Sequence, residues 1–135
     1  MAKIKKIDHV AVVVADIDAA LAFWRDALGI ELSHVEDVPS QKSTVAFLPV
    51  GEGEIELVKP TSDDSGVAKF LQERGGGMHH LCLEVDDISA KLAELKAKGV
   101  RLINEEPQVL PGRKMAFIHP KSTGGVLIEL YEVTK

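Results

Sequence analysis

The stretch Gly75-Gly76-Gly77-Met78-His79-His80-Leu81-Cys82-Leu83-Glu84-Val85 decides how this chain is read. Three glycines run into two histidines, and an alternating apolar strand follows. Near the start the chain has a similar phrase, Ile7-Asp8-His9-Val10-Ala11-Val12-Val13-Val14. Aligned at an offset of 71, His9 falls on His80, Val14 on Val85, Asp16 on Asp87 and Ile17 on Ile88. Ala19, Leu21 and Ala22 then meet Ala90, Leu92 and Ala93, and one gap later Gly29 meets Gly99. Ile55-Glu56-Leu57 answers Ile128-Glu129-Leu130 in the same way. Self-similarity of this kind marks a duplicated supersecondary unit.

Each copy reads as a strand, a helix and three further strands. In the first copy a strand over 8–14 leads to Asp16, a helix N-cap, and then to a helix over 17–28. Ile17, Ala20, Leu21, Trp24 and Leu28 recur at helical spacing, and Gly29 suits the C-cap. Strands follow around 30–38, 43–49 and 54–59, the first of them beginning with Ile30-Glu31-Leu32. The second copy predicts a strand over 79–85 and a helix over 88–98 with Ile88, Leu92 and Leu95 inward. Strands near 100–104, 114–119 and 126–133 complete it. Residues 61–77 hold a polar turn, Thr61-Ser62-Asp63-Asp64-Ser65-Gly66, and a short helix over 67–74, with the glycines as a flexible connection. One domain over 1–135 is expected, with a first module at about 5–60 and a second at about 78–135. The expected fold class is α+β: two tandem βαβββ modules forming a curved mixed sheet around a metal-binding cleft, helices on the outer face.

Alternate residues of a strand face opposite ways, and this parity selects the chemistry. Leu81, Leu83 and Val85 face the helix, as Val10, Val12 and Val14 do in the first copy. His80, Cys82 and Glu84 take the other face, with His9, Ala11 and Val13. Ile55 and Leu57 turn Glu56 away from the core, and Ile128 and Leu130 do the same for Glu129. Four residues on four strands thus share the inner face: His9, Glu56, His80 and Glu129. Two imidazoles and two carboxylates suit a divalent ion such as Mn²⁺, Co²⁺, Ni²⁺, Fe²⁺ or Zn²⁺. Such a set leaves coordination positions open for substrate. A lone strand histidine is commonly structural, so the metal reading rests on equivalent positions and common parity. His79 has the opposite parity and is assigned a structural role. Cys82 reads as a small buried filler. The glycine run is not a phosphate loop, since it lacks the Gly-Lys-Ser/Thr ending and leads into a strand.

The bulk composition excludes several classes of function. At 135 residues, 45% hydrophobic and 27% charged, the chain has the composition of a globular protein. Its longest apolar run, Val10 to Ala15, is far too short to span a bilayer, so no membrane partner is expected. The basic start is followed by no signal-like apolar segment, and the one cysteine fits a reducing compartment; a cytoplasmic protein is expected. A net charge of −5 and six aromatic side chains argue against nucleic acid as a partner.

The quoted segments resemble the vicinal oxygen chelate (glyoxalase) superfamily. Within it the likeness is to the epimerases of methylmalonyl-CoA, through Ile7-Asp8-His9-Val10-Ala11-Val12, through 77–88, and through His119-Pro120-Lys121-Ser122-Thr123-Gly124-Gly125-Val126-Leu127-Ile128-Glu129-Leu130. The resemblance implies a divalent-metal enzyme that interconverts (R)- and (S)-methylmalonyl-CoA through an enolate. Its metal ligands would be His9, Glu56, His80 and Glu129, with Glu129 also the catalytic acid/base. An acyl-CoA substrate and a homodimer are implied too, with Lys114, Lys121 and Ser122 able to bind the substrate's anionic groups. The second acid/base is unassigned: residues 39–47 contain no Asp or Glu, and Ser40 stands where some related sequences keep a glutamate. Lys42 or a metal-bound water remains by default. The alternatives on this scaffold are a glyoxalase I-type lactoylglutathione lyase and a metal-free small-molecule-binding resistance protein.

Overall fold

The structure, a computed structural model, describes residues 2–134 and divides into two compact units. One is His9–His79; the described residues on either side of that span make the other. In the His9–His79 unit, strand β1 (Ile4–Val13, from His9 onward) is followed by helix α1 (Ile17–Leu21) and a π-helix (Ala22–Ala27). Strands β2 (His34–Val38), β3 (Ser43–Val50) and β4 (Gly53–Pro60) and helix α2 (Gly66–Arg74) complete it. Its strands lie in the order β2-β3-β4-β1, with β1 parallel to β4 and the other pairs antiparallel. Asp16 caps α1 as the sequence predicts, its carboxylate accepting the Ala19 N–H at 3.0 Å.

The helix expected over 17–28 is α only in its first half. The Leu28 N–H reaches back five residues to the Phe23 carbonyl at 2.8 Å. This wider turn changes the angular phase of the apolar stripe. Ile17, Leu21 and Trp24 still pack on Ala46, Leu48 and Leu57, but Leu28, expected inward, is 53% exposed. Ile30 and Leu32 join the same core as irregular backbone, and the strand begins only at His34. A second apolar cluster, Ala11, Val45 and Val58, lies on the sheet face opposite α1, with Val67 of α2 and Phe47 packed against it.

Helix α2 starts at Ser65, whose hydroxyl accepts the Ala68 N–H, and ends at Gly75, whose N–H returns to the Leu71 carbonyl. What reads as a flexible connection is, at Gly76, a close approach of two backbones. Gly76 has φ +105°, and a Cβ there would stand 2.8 Å from the Val13 carbonyl oxygen. Gly76→Ala therefore meets both a forbidden φ and an immovable neighbour. A loss of about 2–3 kcal/mol is expected in chemical denaturation, against a smaller loss for Gly77→Ala, where a Cβ meets open space.

The second unit contains β5 (Gly77–Val85, from His80 onward), α3 (Ile88–Ala97), β6 (Gln108–Leu110), β7 (Arg113–Ile118) and β8 (Ile128–Val133). Its order is β5-β8-β7-β6, with β5 parallel to β8 and the rest antiparallel. Asp87 caps α3 through the Ala90 N–H at 3.0 Å. Ile88 and Leu92 fill the core with Val85, Ala116, Ile118 and Leu130, and Leu95 packs against it. The strand expected near 100–104 reduces to one bridge, Leu102 to Ile118. The Asn104 side chain takes the Phe117 N–H at 2.8 Å, filling the place of a ladder carbonyl, and the pairing strand arrives later as β6.

The N-terminal residues are tied to this unit by two carboxylates. Glu94 accepts the Ala2 N–H at 2.7 Å and Asp86 the Lys3 N–H at 2.9 Å. Those backbone bonds hold both carboxyls below their ordinary values of 4.5 and 3.8. A depressed folded pKa stabilises the fold above the ordinary value, and the contribution is lost as pH falls through the folded one. Wild type should therefore melt above a Glu94→Gln/Asp86→Asn double variant at neutral pH. The gap should close in acid, which thermal melts across pH would measure.

Candidate functional site

The two units repeat one ladder register. Val10 lies opposite Ile55 and Ala11 opposite Glu56; Leu81 lies opposite Ile128 and Cys82 opposite Glu129. The third strands agree, with Phe47 opposite Glu56 and Phe117 opposite Glu129. In each unit the histidine two residues before the Ala or Cys shares its face and stands diagonal to the glutamate. The His9 Nδ1 lies 3.3 Å from Glu56 Oε2, and the His80 Nε2 lies 3.1 Å from Glu129 Oε1. His9 and Glu129 are 7% and 6% exposed. The aliphatic neighbours turn these polar residues inward, because Leu57 and Leu130 are buried in the helix-side cores of their units.

A buried carboxylate is costly unless it faces a donor or a cation. Each unit meets this need with one imidazole nitrogen and one carboxylate oxygen. Two cis ligands on one ion with bonds near 2.1 Å stand about 3.0–3.4 Å apart. Both pairs have that spacing, and their N/O chemistry suits a borderline divalent metal. The donor set fits such an ion.

His79 sits apart from this arrangement, its ring edge-on to Phe70 at 4.9 Å, while the His80 ring lies edge-on to Phe117 at 5.7 Å. Cys82 is fully buried. Glu84, on the same face, is buried and paired with Lys5 at 3.3 Å and Lys6 at 3.9 Å. Tyr131 lies opposite Glu84; burial first, then the Asp8 carboxylate, pushes its phenol above 10.0.

The residues suggested for substrate contact are dispersed. Lys114 lies opposite Glu132, on the face of β7 turned away from Glu129. Lys121 and Ser122 lie on a single 3-10 turn, Pro120–Ser122, where the Ser122 hydroxyl accepts the Arg101 N–H at 2.8 Å. Lys42, with φ +52°, closes the turn Pro39–Gln41, and its ammonium is 3.0 Å from Asp64. One further pair shares the face of Glu56, through the pairing of β2 with β3. His34 stacks on Phe47 with ring centroids 4.5 Å apart and lies 3.4 Å from Glu36, on the face that carries Glu56. Reading 30–38 as one strand without a register left that face unassigned.

Among the described residues no helix is long and apolar enough to cross a membrane. The sequence pattern of the Glyoxalase/Bleomycin resistance protein/Dioxygenase superfamily matches residues 8–117. The mitochondrial methylmalonyl-CoA epimerase of Mus musculus is 42% identical over 130 residues, covering 95% of this chain and 73% of the mouse protein. The ethylmalonyl-CoA/methylmalonyl-CoA epimerase of Cereibacter sphaeroides is 39% identical over 133 residues, 96% of this chain and 99% of its own length. A Streptomyces coelicolor methylmalonyl-CoA epimerase variant, solved in complex with 2-nitronate-propionyl-CoA, is 33% identical. It superposes with a TM-score of 0.87 over 98% of this chain and 96% of that one, so the fold is shared.

Proposed function

The chain belongs to the Glyoxalase/Bleomycin resistance protein/Dioxygenase superfamily, and on that premise we propose that it epimerises (R)- and (S)-methylmalonyl-CoA. His9, Glu56, His80 and Glu129 would together hold one divalent ion, Co²⁺ or Mn²⁺ in preference to others. The observation that carries this reading is the repeated pair, His9 with Glu56 and His80 with Glu129, each with one buried member and set in one ladder register. Relatives named as methylmalonyl-CoA epimerases at 39–42% identity support the substrate.

The α-carbon of the substrate lies between a thioester and a carboxylate, so its proton is already acidified. A divalent ion at these ligands supplies positive charge where the enolate oxygen develops. Glu129 is the acid/base on one face of the α-carbon: its carboxylate takes the proton from one epimer and its carboxyl returns one to make that epimer. Burial on β8 excludes bulk water from that carboxylate and keeps it in one orientation. His9 and His80 would bind the ion through the ring nitrogens that face Glu56 and Glu129.

The acyl-CoA anion would be met by Lys121 and Ser122, the latter still able to donate its hydroxyl proton while accepting from Arg101. Lys114, on the opposite face from Glu129, would reach only the coenzyme A phosphates. The proposal extends to one domain made of two modules, about 5–60 and 78–135, to a homodimer, and to the cytoplasm. Incubation of metal-replete protein with methylmalonyl-CoA in D₂O tests the reaction. Deuterium should enter the α-position and both epimers should appear. Absence of exchange, or preferential turnover of a glutathione hemithioacetal, would overturn it.

A further inference from the structure

A divalent ion binds the lone pair of an imidazole nitrogen, so a nitrogen that ligates has no proton to donate to a carboxylate. The 3.1 Å contact between His80 Nε2 and Glu129 therefore cannot orient the ring once both residues turn to one ion. The last torsion of a histidine is itself broad and roughly two-fold, and fixes no orientation. A ligand ring of this kind needs a partner that does not use its ligating nitrogen.

Phe117 meets that need in the second unit. Its N–H goes to the Asn104 side chain at 2.8 Å and its carbonyl accepts the Ile103 N–H at 2.9 Å, so both point away from β8. Phe117 and Glu129 are thus a non-hydrogen-bonded pair of the ladder, the kind whose side chains lie closest. The His80 ring comes from β5, on the other side of β8, and meets the Phe117 ring at 5.7 Å with the planes at 87°. The two rings flank the Glu129 carboxylate, and Glu129 is buried between them.

We infer that Phe117 is a positioning residue of the metal centre, its ring holding the His80 imidazole with Nε2 turned to Glu129 in the metal-loaded protein as in the free one. The inference rests on His80 and Glu129 being ligands. An edge-to-face pair prefers perpendicular rings, so turning the imidazole away from Glu129 costs the Phe117 contact as well. The first unit has a phenylalanine in the same register without this contact. Phe47 lies opposite Glu56 as Phe117 lies opposite Glu129, and its carbonyl likewise turns away, to the Ser33 N–H at 2.8 Å. Its ring, however, lies flat on His34, with centroids 4.5 Å apart and planes at 17°. The Glu56 side chain is also more open, 17% exposed against 8% for Glu129. Repeating the backbone register does not repeat the ring contact, and the two ligand pairs are held unequally.

Metal binding tests the inference without substrate. Phe117→Leu keeps an apolar side chain but removes the ring, and Phe117→Tyr keeps the ring. Phe117→Leu should weaken Co²⁺ binding about tenfold in isothermal titration and shift the visible absorption bands of the bound ion. Phe117→Tyr should restore both. Phe47→Leu, the same change at the equivalent position, should leave Co²⁺ affinity within about twofold of wild type. Zn²⁺ added to wild type gives a reading for which no variant has to fold: nuclear Overhauser contacts between the His80 and Phe117 ring protons should persist at saturation. Co²⁺ affinity of Phe117→Leu within about twofold of wild type, or a Phe117→Tyr variant as impaired as Phe117→Leu, would overturn the role. So would an equal loss in Phe47→Leu, or loss of the ring contacts when Zn²⁺ binds. Wild type that takes up neither ion would instead overturn the metal reading itself, and this inference with it.

Discussion

Glu129→Gln is expected to lower inversion of methylmalonyl-CoA by about a thousandfold or more. The substitution keeps size and shape but removes the charge and the proton-accepting oxygen. Two functions are lost together, because the same carboxylate is proposed as ligand and as acid/base. The fold should survive: the amide that replaces the carboxylate can still meet the His80 ring, and Leu130 beside it keeps its place in the core. Circular dichroism and a thermal midpoint close to wild type would confirm that. Turnover within tenfold of wild type, measured with excess Co²⁺ or Mn²⁺, would remove Glu129 from the mechanism. Glu56→Gln makes the informative comparison. It removes the equivalent carboxylate of the other pair, so it should weaken metal binding without removing an acid/base, and excess metal should recover part of its activity.

His80→Ala should lower metal affinity by about 100-fold or more, while His79→Ala leaves it unchanged. Loss of an outer partner of a metal ligand costs about 10–100-fold in typical sites, and loss of a ligand itself costs at least that. The two histidines are neighbours in sequence with similar chemistry, so general surface effects cancel between them. Their environments differ: His80 pairs with Glu129 at 3.1 Å, and His79 packs its ring on Phe70. Isothermal titration with Mn²⁺ or Co²⁺ reads the difference without any substrate. Equal affinities in the two variants would overturn the assignment of His80. His79→Ala should instead cost some stability, since it strips an aromatic contact from α2.

Much of the candidate site was legible before any coordinates because the chain states it twice. A histidine on one strand and a glutamate on another say little alone. The match of His9 with His80 and of Glu56 with Glu129, together with strand parity, selected all four residues. Parity also separated His80 from His79, for a period of two leaves no freedom once one face is buried. The caps were equally readable, since Asp16 and Asp87 act through their own helix N-termini. Features that depend on partners far along the chain were not. Nothing local distinguishes the π-turn after Leu21 from an α-helix, yet it takes Leu28 out to solvent. The strand near 100–104 had the right composition, but the Asn104 side chain took its hydrogen bond.

The pair formed by His34 and Glu36 shows the same division at the site. Both residues were visible in the sequence, with no counterpart in the repeat to mark them. Their common face with Glu56 depends on β2 pairing with β3 so that His34 meets Phe47, a register no local pattern specifies. The amino-acid order was sufficient for the duplicated βαβββ architecture and the identity of the paired residues, because hydrophobic periodicity and repetition are local properties of the chain. Folding was needed to bring nitrogen and oxygen within 3.1 and 3.3 Å, and to turn a triple glycine into a tight backbone approach at Val13. Those outcomes depend on ladder register and close packing, which join residues that the sequence keeps tens of positions apart.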